Sequence, residues 1–346
     1  MKTAESVTEG HPDKVCDQIA DALLDEYLRR DPRSRVALEV FGSHGMLMVG
    51  GEVTSQGEVD IEAMAKHVYK QIGYEDELEV FVNIELQSGD IAQGVDVGGA
   101  GDQGIMYGYA SIETPSFMPA PIAYAHALST SLADLRRHDP SFSWLRPDGK
   151  TQVTMDHGRV TTVVVSTQHA PDVAQEEIRA RVSERVITPV IGSLDGVEIH
   201  INPTGRFVVG GFTADTGLTG RKLMVDTYGG IIPHGGGAFS GKDSTKVDRS
   251  AAYMARFAAK NLVAAGYAKK CMVSVAYAIG KADPVMLTAR SEDGRDLSPL
   301  VQKYFDFRPQ AIIERLDLRK PIFRASAAYG HFGRDQFPWE RLIELK

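Results

Sequence analysis

The residues best suited to chemistry lie in one glycine-rich, charged segment, residues 235–249, which reads GGGAFSGKDSTKVDR. Its glycines allow a backbone to approach a ligand closely, and its lysines, Lys242 and Lys246, supply positive charge. The carboxylates of Asp243 and Asp248 alternate with these lysines. Cations and carboxylates in one loop suit a polyanion with its divalent metal, so the segment predicts a site for a nucleotide phosphate chain.

The same segment nearly spells a P-loop, because residues 236–242 fit the pattern G-x-x-x-x-G-K. In a P-loop the lysine is followed by Ser or Thr, whereas here Asp243 follows. A P-loop NTPase or kinase also needs a hydrophobic strand that ends in a metal-binding Asp, but the best strand, residues 160–166, continues into Thr-Gln-His. A P-loop enzyme is therefore one alternative to a different ATP chemistry, and a nucleotide-binding regulatory subunit without catalysis is another.

Two further motifs could bind anions. In EGHPDK, at the start of a predicted helix, His11 could donate to a phosphate and Asp13 could hold its metal. His, Pro and Asp are also common capping residues, so capping is the simpler interpretation of this motif alone. In DTGLTGRK, two glycines precede Arg221 and Lys222, which are as consistent with a surface cation pair as with an anion site.

Two other glycine-containing motifs are interpreted from their context. The segment RPDGK at residues 146–150, taken alone, predicts a turn before a strand. The segment GAGDQG at residues 99–104 matches a dinucleotide fingerprint, but it follows a polar loop and precedes an extended run. We therefore interpret it as part of a mobile lid that carries Gln93 and Asp102.

Composition narrows the class of protein. A chain of 346 residues with 43% hydrophobic and 24% charged content predicts a soluble globular protein of two or three domains. The net charge of −8 and the lack of a basic stripe argue against a nucleic-acid partner. The two cysteines, Cys16 and Cys271, lie far apart, which favours a reducing compartment. No apolar leader or membrane-length run is present, so we expect a cytoplasmic location.

Hydrophobic periodicity predicts the same order of elements more than once. A helix, two strands, a helix and a strand are predicted in residues 12–86, and this order recurs in residues 121–201. A third block begins with a helix over residues 245–265 and continues with two strands and a helix. This order favours repeated α+β units over an alternating parallel sheet. Four methionines, Met46, Met48, Met64 and Met254, are predicted to fill cores.

Taken together, these motifs resemble the S-adenosylmethionine synthetase (methionine adenosyltransferase) family. The segments that carry the resemblance are ESVTEGHPDK (5–14), GAGDQGIMYG (99–108), MPAPIAYAH (118–126), RPDGKTQV (146–153), INPTGRF (201–207), GLTGRK (217–222), the segment 235–252 and AAYGHFGR (327–334). They cover nearly the whole chain in the order found in the family, so a chance match is remote.

The resemblance implies an architecture and partners. The fold class would be α+β, with three similar α/β-sandwich domains around a pseudo-threefold axis, which we place at residues 1–97, 98–208 and 209–346. The resemblance also implies a tight homodimer with active sites shared between subunits, often paired into a homotetramer. ATP and L-methionine would be the substrates, with neither nucleic acid nor membrane as a partner.

The resemblance also assigns site residues. ATP would be bound by His11, Asp148, Lys150, Arg206, Phe207, Asp215, Arg221, Lys222, Ala238 and Lys242, and methionine by Glu52, Gln93, Asp215 and Lys246. His11, Lys150, Arg221, Lys242, Lys246 and Asp102 would be catalytic, with Asp102 near the developing sulfonium. Asp13 and Asp248 would hold a pair of Mg²⁺ ions, and Glu39 would hold K⁺.

The implied reaction explains these residue types. The methionine sulfur attacks C5′ of ATP, and the released triphosphate is then hydrolysed to pyrophosphate and phosphate. A thioether has no proton to remove, so this attack needs no general base. It needs alignment and a stabilised leaving group, which cations and Mg²⁺ provide. The lid departs from the family pattern because residues 93–101 form a shorter loop than usual.

Overall fold

The computed structural model describes residues 1–86 and 98–345. The strands are β1 (Lys2–Val7), β2 (Arg35–Ser43), β3 (Met46–Thr54), β4 (Glu79–Glu85), β5 (Gly104–Ser111), β6 (Leu145–Asp156), β7 (Arg159–His169), β8 (Glu198–Ile201), β9 (Gly217–Leu218), β10 (Lys270–Tyr277) and β11 (Met286–Ser291). The helices are α1 (Pro12–Arg30), α2 (Ile61–Ile72), α3 (Ala120–His138), α4 (Gln175–Val182), α5 (Thr188–Ile191), α6 (Leu223–Asp226), α7 (Val247–Ala264), α8 (Ser298–Tyr304) and α9 (Pro309–Arg315).

These elements form three sheets with the orders β4-β3-β2-β9, β1-β6-β7-β8 and β11-β10-β5. Helices α1 and α3 pack on β2 and β6 respectively, and α7 packs on β5 and β10. The pairs β3–β4 and β7–β8 are parallel, whereas the other pairs are antiparallel. The α+β fold class and the recurring element order predicted from the sequence are confirmed.

The sheets exchange strands between the three parts of the chain. The N-terminal β1 joins the central sheet, β5 of the central part joins the C-terminal sheet, and β9 of the C-terminal part joins the N-terminal sheet. The division at residues 97/98 and 208/209 stays a prediction, but the hydrogen-bonded sheets do not follow it. This exchange brings residues from distant parts of the sequence onto one sheet, which matters for the candidate site.

Buried ion pairs connect helix α1 to helices α6 and α7. The Lys14 ammonium donates to the carboxylates of Asp17, at 2.9 Å, and of Asp226. The Arg249 guanidinium forms two bonds to Asp21, at 2.6 and 2.8 Å. All of these groups are buried, so removing one partner leaves an uncompensated charge that costs about 3–5 kcal/mol. The pairs therefore fix α1 against α6 and α7.

Two sheets have apolar side chains on the face that is not covered by helices. Phe41, Met48 and Phe81 lie side by side in register across β2, β3 and β4. Met48 and Phe81 are 47% and 42% exposed. Ile105 and Met286 flank β10 in the same way on the third sheet and are also exposed. These rows are open apolar surface of the kind that oligomers bury.

The exposed Met48 contradicts one prediction. The sequence predicts that Met48 fills a core, as Met254 does, since Met254 is buried in α7. In β3, however, Leu47 and Val49 face the helices, so the residue between them points to the open face. The prediction for Met48 was wrong because the sequence pattern shows which residues share one face of a strand but does not show which face the helices cover.

The described parts of the chain have no helix that is long and apolar enough to cross a membrane. The cytoplasmic location expected from the sequence stays a prediction.

Candidate functional site

The first part of the candidate site is built where the start of α1 meets β9. His11 is the N-cap of α1, and Pro12 occupies the first helical turn, where its missing N–H costs nothing. Gly217 passes so close to this turn that a Cβ would lie 2.2 Å from the Pro12 carbonyl oxygen. The Leu218 N–H donates to Asp13 Oδ1 at 2.9 Å. Only glycine permits this approach, which places Asp13 beside the loop that follows β9.

That loop brings two cations to Asp13. Lys222 Nζ lies 2.6 Å from Asp13 Oδ2, and Arg221 Nε lies 3.6 Å from Oδ1. Asp13 is buried, whereas Arg221 is exposed at the surface. We call His11, Asp13, Arg221 and Lys222 the α1 cluster. It joins residues that the sequence separates by about two hundred positions.

His11 in this cluster is a neutral hydrogen-bond donor. Its Nδ1 accepts the Asp13 N–H at 3.2 Å, so the proton of the neutral ring lies on Nε2. Burial, followed by the positive charges of Lys222 and Lys150, lowers the pKa of His11 to about 3. Because the His11 imidazole stays neutral at physiological pH, its Nε2–H can donate to a phosphate oxygen without changing the charge of the site.

Strand β6 adds Asp148 and Lys150. The segment 146–150, predicted as a turn, instead belongs to β6, with a register shift between Leu145 and Gly149. This bulge is stabilised because β6 is paired on both sides, by β1 and β7, a context that the isolated motif does not contain. The turn prediction was therefore wrong. Lys150 is exposed, which leaves its ammonium accessible.

Asp148 has an unused acceptor. Its Oδ2 accepts the Gly211 N–H at 3.0 Å, but its buried Oδ1 has no partner among the described residues. Burial raises the pKa of Asp148 to about 6, although the hydrogen bond from Gly211 and the charge of Lys150 oppose the shift. A buried orphan oxygen is costly unless a ligand donates to it, so Asp148 is a candidate binding residue.

The residues predicted beside Asp148 lie in the loop after β8. The Phe207 N–H donates to His169 Nε2 at 3.0 Å, which fixes a partly buried aromatic ring near the end of β7. Arg206 and Asp215 are exposed, and the charge of Asp215 acts on both His11 and Asp148. The structure therefore brings Asp215 to the α1 cluster.

The second part of the site is the segment that opened the sequence analysis. Residues 241–243 run antiparallel along β2, with Leu38 N–H donating to Gly241 O and Asp243 N–H to Val36 O, both at 3.0 Å. We call residues 241–248 the β2 loop. Within it, Lys242 Nζ lies 2.7 Å from Asp248 Oδ2. A P-loop wraps phosphate between a strand and a helix, whereas this loop pairs with a strand edge.

Asp243 has a role that sequence reasoning missed. This buried carboxylate forms an ion pair with Lys246 and accepts the Val36 N–H at 2.7 Å and the Thr245 N–H at 2.9 Å. Burial would raise the pKa of Asp243, but Lys246 and these donors lower it below its ordinary value. Asp243 therefore orients Lys246 and fastens the β2 loop. The sequence did contain a signal for this role, because Asp243 stands directly after Lys242, at the position where a P-loop has Ser or Thr.

The two parts of the site touch. A Cβ on Gly220 would lie 2.6 Å from the Ala238 Cβ, so the loop after β9 meets the glycine-rich segment there. Both are also held by β2, since β9 pairs with Phe41 and Gly42 while Lys242 pairs with Ala37. The predicted phosphate residues of the two segments are thus gathered at one edge of one sheet.

Glu39 and Glu52 lie beside this edge. Glu39 is on β2 between the two attachment points, and loss of solvent raises its pKa, with Asp17 adding to the shift and Lys242 opposing it. Glu52 on β3 lies opposite Ala37 of β2, and Lys242 lies opposite Ala37 on the other edge of β2. Both carboxylates are thus close to the β2 loop.

The remaining predicted residues are less fixed. Asp102 is exposed and accepts the N–H of its neighbour Gln103. Gly104 follows, and a Cβ there would lie 3.5 Å from Asp248 Oδ1, which brings this segment near the β2 loop. Gln93 and most of the predicted lid fall at residues 87–97, outside the described residues.

The donors fit a metal only in part. Among residues 1–86 and 98–345, no group of three His, Cys, Asp or Glu side chains is arranged to hold an ion. Asp13 and Asp248 each offer carboxylate oxygens that a lysine already contacts. Mg²⁺ is commonly held by one or two carboxylates with substrate phosphates and water, so these residues fit an ion that arrives with its substrate.

Fold and site together define an α+β protein in which two cationic, glycine-containing loops meet on one strand, as suits a polyphosphate. Family models for the N-terminal, central and C-terminal domains of S-adenosylmethionine synthetase match residues 1–90, 97–207 and 209–341. These matches cover almost all of the chain.

Curated relatives agree with the family models. A protein from Sorangium cellulosum, described as S-adenosylmethionine synthase, is 53% identical over 367 residues, or 98% of this chain and 87% of the relative. Proteins of the same description from two strains of Staphylococcus epidermidis are 49% identical over 382 residues, covering 99% of this chain and 96% of each relative. The chain therefore belongs to the S-adenosylmethionine synthetase family.

Both alignments extend over more positions than the 346 residues of this chain, so it lacks residues that those relatives have.

Proposed function

We propose that the chain forms S-adenosylmethionine from ATP and L-methionine at the site made by the α1 cluster and the β2 loop. Membership of the family makes it a transferase of S-adenosylmethionine synthesis, and the relatives that share about half of its residues carry that name. The observation that supports this location is the attachment of both cationic loops to β2. The roles of individual residues are part of the proposal.

The first step is attack of the methionine sulfur on C5′ of ATP. The sulfur lone pair forms the S–C bond while the C5′–O bond breaks and its electrons leave with the triphosphate. No proton moves, so the site needs alignment and stabilisation of negative charge rather than a base. His11, Lys150, Arg221 and Lys222 from one part, and Lys242 and Lys246 from the other, supply that stabilisation.

The second step is hydrolysis of the retained triphosphate. Water attacks a phosphorus atom, and one P–O–P bond breaks to give pyrophosphate and phosphate. Phosphoryl transfer depends mostly on positioning and on stabilisation of the equatorial oxygens. The same cations serve this step, since the Lys242–Asp248 and Lys246–Asp243 pairs hold their ammonium groups in place.

The remaining residues bind the substrates and neutralise the product charge. Asp148 Oδ1 accepts a hydrogen bond from the nucleotide, and Arg206, Phe207, Asp215 and Ala238 complete its pocket. Glu52, Gln93, Asp215 and Lys246 bind methionine. Asp102 offsets the positive charge that develops on sulfur. Asp13 and Asp248 would hold a pair of Mg²⁺ ions, and Glu39 would hold K⁺. When bound, these cations offset negative charge on the phosphates.

A homodimer with shared sites completes the proposal, and paired dimers would give a tetramer. The open apolar rows that contain Met48, Phe81 and Ile105 support it, because such surface is normally buried against another subunit. The cationic loops lie on the sheet that carries the first of these rows. A second subunit on that face would therefore stand next to the site.

The experiment that tests the proposal is direct. The purified chain is incubated with ATP, methionine, Mg²⁺ and K⁺, and products are identified by mass spectrometry and phosphate analysis. We expect the sulfonium product with equal amounts of pyrophosphate and phosphate, and no turnover after exhaustive chelation. A phosphorylated product without the sulfonium would instead favour a kinase. Formation of the sulfonium with release of intact triphosphate would contradict the second step.

A further inference from the structure

A cationic cavity borders the β2 loop. It has a volume of about 430 Å³ and is enclosed by the end of α1, the start of β2, the β2 loop and α9. Arg33, Arg35 and Arg319 line it. Among the described residues that line it, the only carboxylate is Asp243, which is buried and already paired with Lys246. We call this cavity the arginine groove, and its lining carries a clear excess of positive charge.

Several of its polar groups are available to a ligand. Arg33 is exposed, and its guanidinium makes no hydrogen bond or ion pair with any other residue that the structure describes. Within the described parts of the chain, the Arg319 guanidinium has one long contact, 3.5 Å from Gln310 Oε1. The hydroxyl groups of Ser244 and Thr245 also line the groove, and neither is bonded within the described residues. The groove therefore offers guanidinium and hydroxyl donors together.

The donors identify the class of ligand. A guanidinium presents two parallel N–H groups that match phosphate oxygens, and clustered arginines favour ligands with several such oxygens. No aromatic residue is found among the described residues of the lining, which therefore offer no platform on which a nucleotide base could stack. We propose that the arginine groove is a second anion site, which binds a short inorganic phosphate chain of the pyrophosphate class.

The groove is distinct from the proposed nucleotide site. None of the proposed ATP ligands lines it. The wall common to both is the turn 243–245, in which Asp243 holds Lys246 on one side while Ser244 and Thr245 face the groove. Binding in the groove does not depend on the reaction proposed above, so the two proposals can fail separately.

The test measures pyrophosphate binding to the full chain by isothermal titration calorimetry, without ATP, methionine or divalent metal. The wild-type chain should bind pyrophosphate at two sites per chain, one in the groove and one in the nucleotide site. The double variant Arg33→Ala/Arg319→Ala should lose one of them, whereas Lys242→Ala should weaken the other. Arg159→Ala removes an exposed arginine on β7 and serves as the matched control, which should keep both sites.

A charge-conserving variant separates a built site from general attraction. Arg33→Lys/Arg319→Lys keeps both charges but loses the paired N–H groups, so groove affinity should fall at least about tenfold. Equal affinity in this variant would mean that only the charge matters and would overturn the proposal. Retention of every wild-type pyrophosphate site in the alanine double variant would also overturn it, whereas a wild type that has only the site lost in that variant would count against the nucleotide site alone. Thermal unfolding of each variant confirms that it is folded.

Discussion

At the scale of single residues, the candidate site is a set of lysines held by carboxylates. Asp13, Asp243 and Asp248 contact Lys222, Lys246 and Lys242 respectively. A flexible lysine loses rotamer freedom when it binds a phosphate, and a fixed partner reduces that loss. The carboxylates also keep the net charge of the loops moderate. The site is thus prepared for a polyanion without a strong excess of buried positive charge.

Removing either Lys150 or Lys242 should affect turnover far more than stability. Lys150 and Lys242 project from β6 and from the β2 loop, and neither lies in an apolar core. Lys150→Ala and Lys242→Ala should each lower kcat by about 10²–10³, the usual cost of one preorganised contact to a developing charge. Steady-state kinetics measures this effect, and the control is Lys269→Ala, which removes an exposed lysine next to the start of β10. Near wild-type turnover in either site variant would exclude that lysine from the mechanism.

Glu39 provides a test of the monovalent ion. Its carboxylate lies on β2 between the two loops. Glu39→Gln keeps the shape but removes the charge, so the increase of activity with K⁺ should disappear while the requirement for Mg²⁺ remains. The measurement is kcat as a function of K⁺ concentration at fixed Mg²⁺. If the variant is still activated by K⁺ to the wild-type extent, the ion is held elsewhere.

His126 should make stability depend on pH. Its Nδ1 is bonded to Ser6 Oγ at 2.8 Å and its buried Nε2 has no partner within the described residues. Burial, with Arg334 and Lys14, lowers the pKa of His126 to about 3. Below its ordinary pKa of about 6.5 the unfolded chain binds a proton that the folded chain does not, so falling pH destabilises the fold.

The variant His126→Gln removes this contribution. Between about pH 6 and pH 4, the wild type should lose stability faster than the variant by about 1.4 kcal/mol per pH unit. Urea unfolding at several pH values measures both slopes. Other titrating groups, including His11 and His331, are common to both proteins and cancel in the difference. Parallel slopes would show that His126 is protonated in the folded protein.

At the scale of elements, β2 positions both loops. Its odd-numbered residues face away from the helices, and its edge accepts β9 and the β2 loop one after the other. A β-strand has a nearly constant rise of about 3.3 Å per residue, so positions along it are separated by fixed distances. Two loops attached to one strand therefore keep a fixed spacing, which a substrate with a phosphate chain requires.

The close approach of β9 to α1 should be sensitive to one methyl group. In Gly217→Ala the new Cβ would lie 2.2 Å from the Pro12 carbonyl oxygen, so α1 and β9 must separate. We expect a loss of about 1–3 kcal/mol in the free energy of unfolding and a higher KM for ATP, because Arg221 and Lys222 follow directly. Gly50→Ala, whose Cβ meets only Asn83 O at 3.5 Å, is the control for stability. An unchanged KM would separate the loop from ATP binding.

At the scale of the whole molecule, the open apolar rows predict association. The variant Phe81→Asp places a charge in the row that contains Phe41 and Met48, so it should weaken the dimer. Sedimentation velocity measures the fraction of monomer, and activity is assayed over the same range of concentration. We expect activity to follow the dimer. Lys66→Asp, on the exposed side of α2, is the control, and a fully active monomer would reject shared active sites.

The sequence by itself determined where the long helices lie and which residue types are available for chemistry. Local periodicity, capping and glycine patterns depend only on neighbours in the chain, so helix α1 was predicted with the bounds that it has, residues 12–30. The segment 235–249 likewise showed its residue types without a fold. The family followed from motifs that are short and contiguous, and the family models and relatives confirmed it.

Only the tertiary structure decided which distant residues meet. The pairing of β9 with β2 joins Asp13 to Lys222, and the attachment of the β2 loop to β2 joins Val36 to Asp243. No local pattern encodes these pairings. The structure also decided that residues 146–150 lie in a bulged strand and that Met48 faces outward. The physical reason is the same in each case. The stability of a local conformation depends on the helices and strands that pack against it, and these elements come from distant parts of the chain.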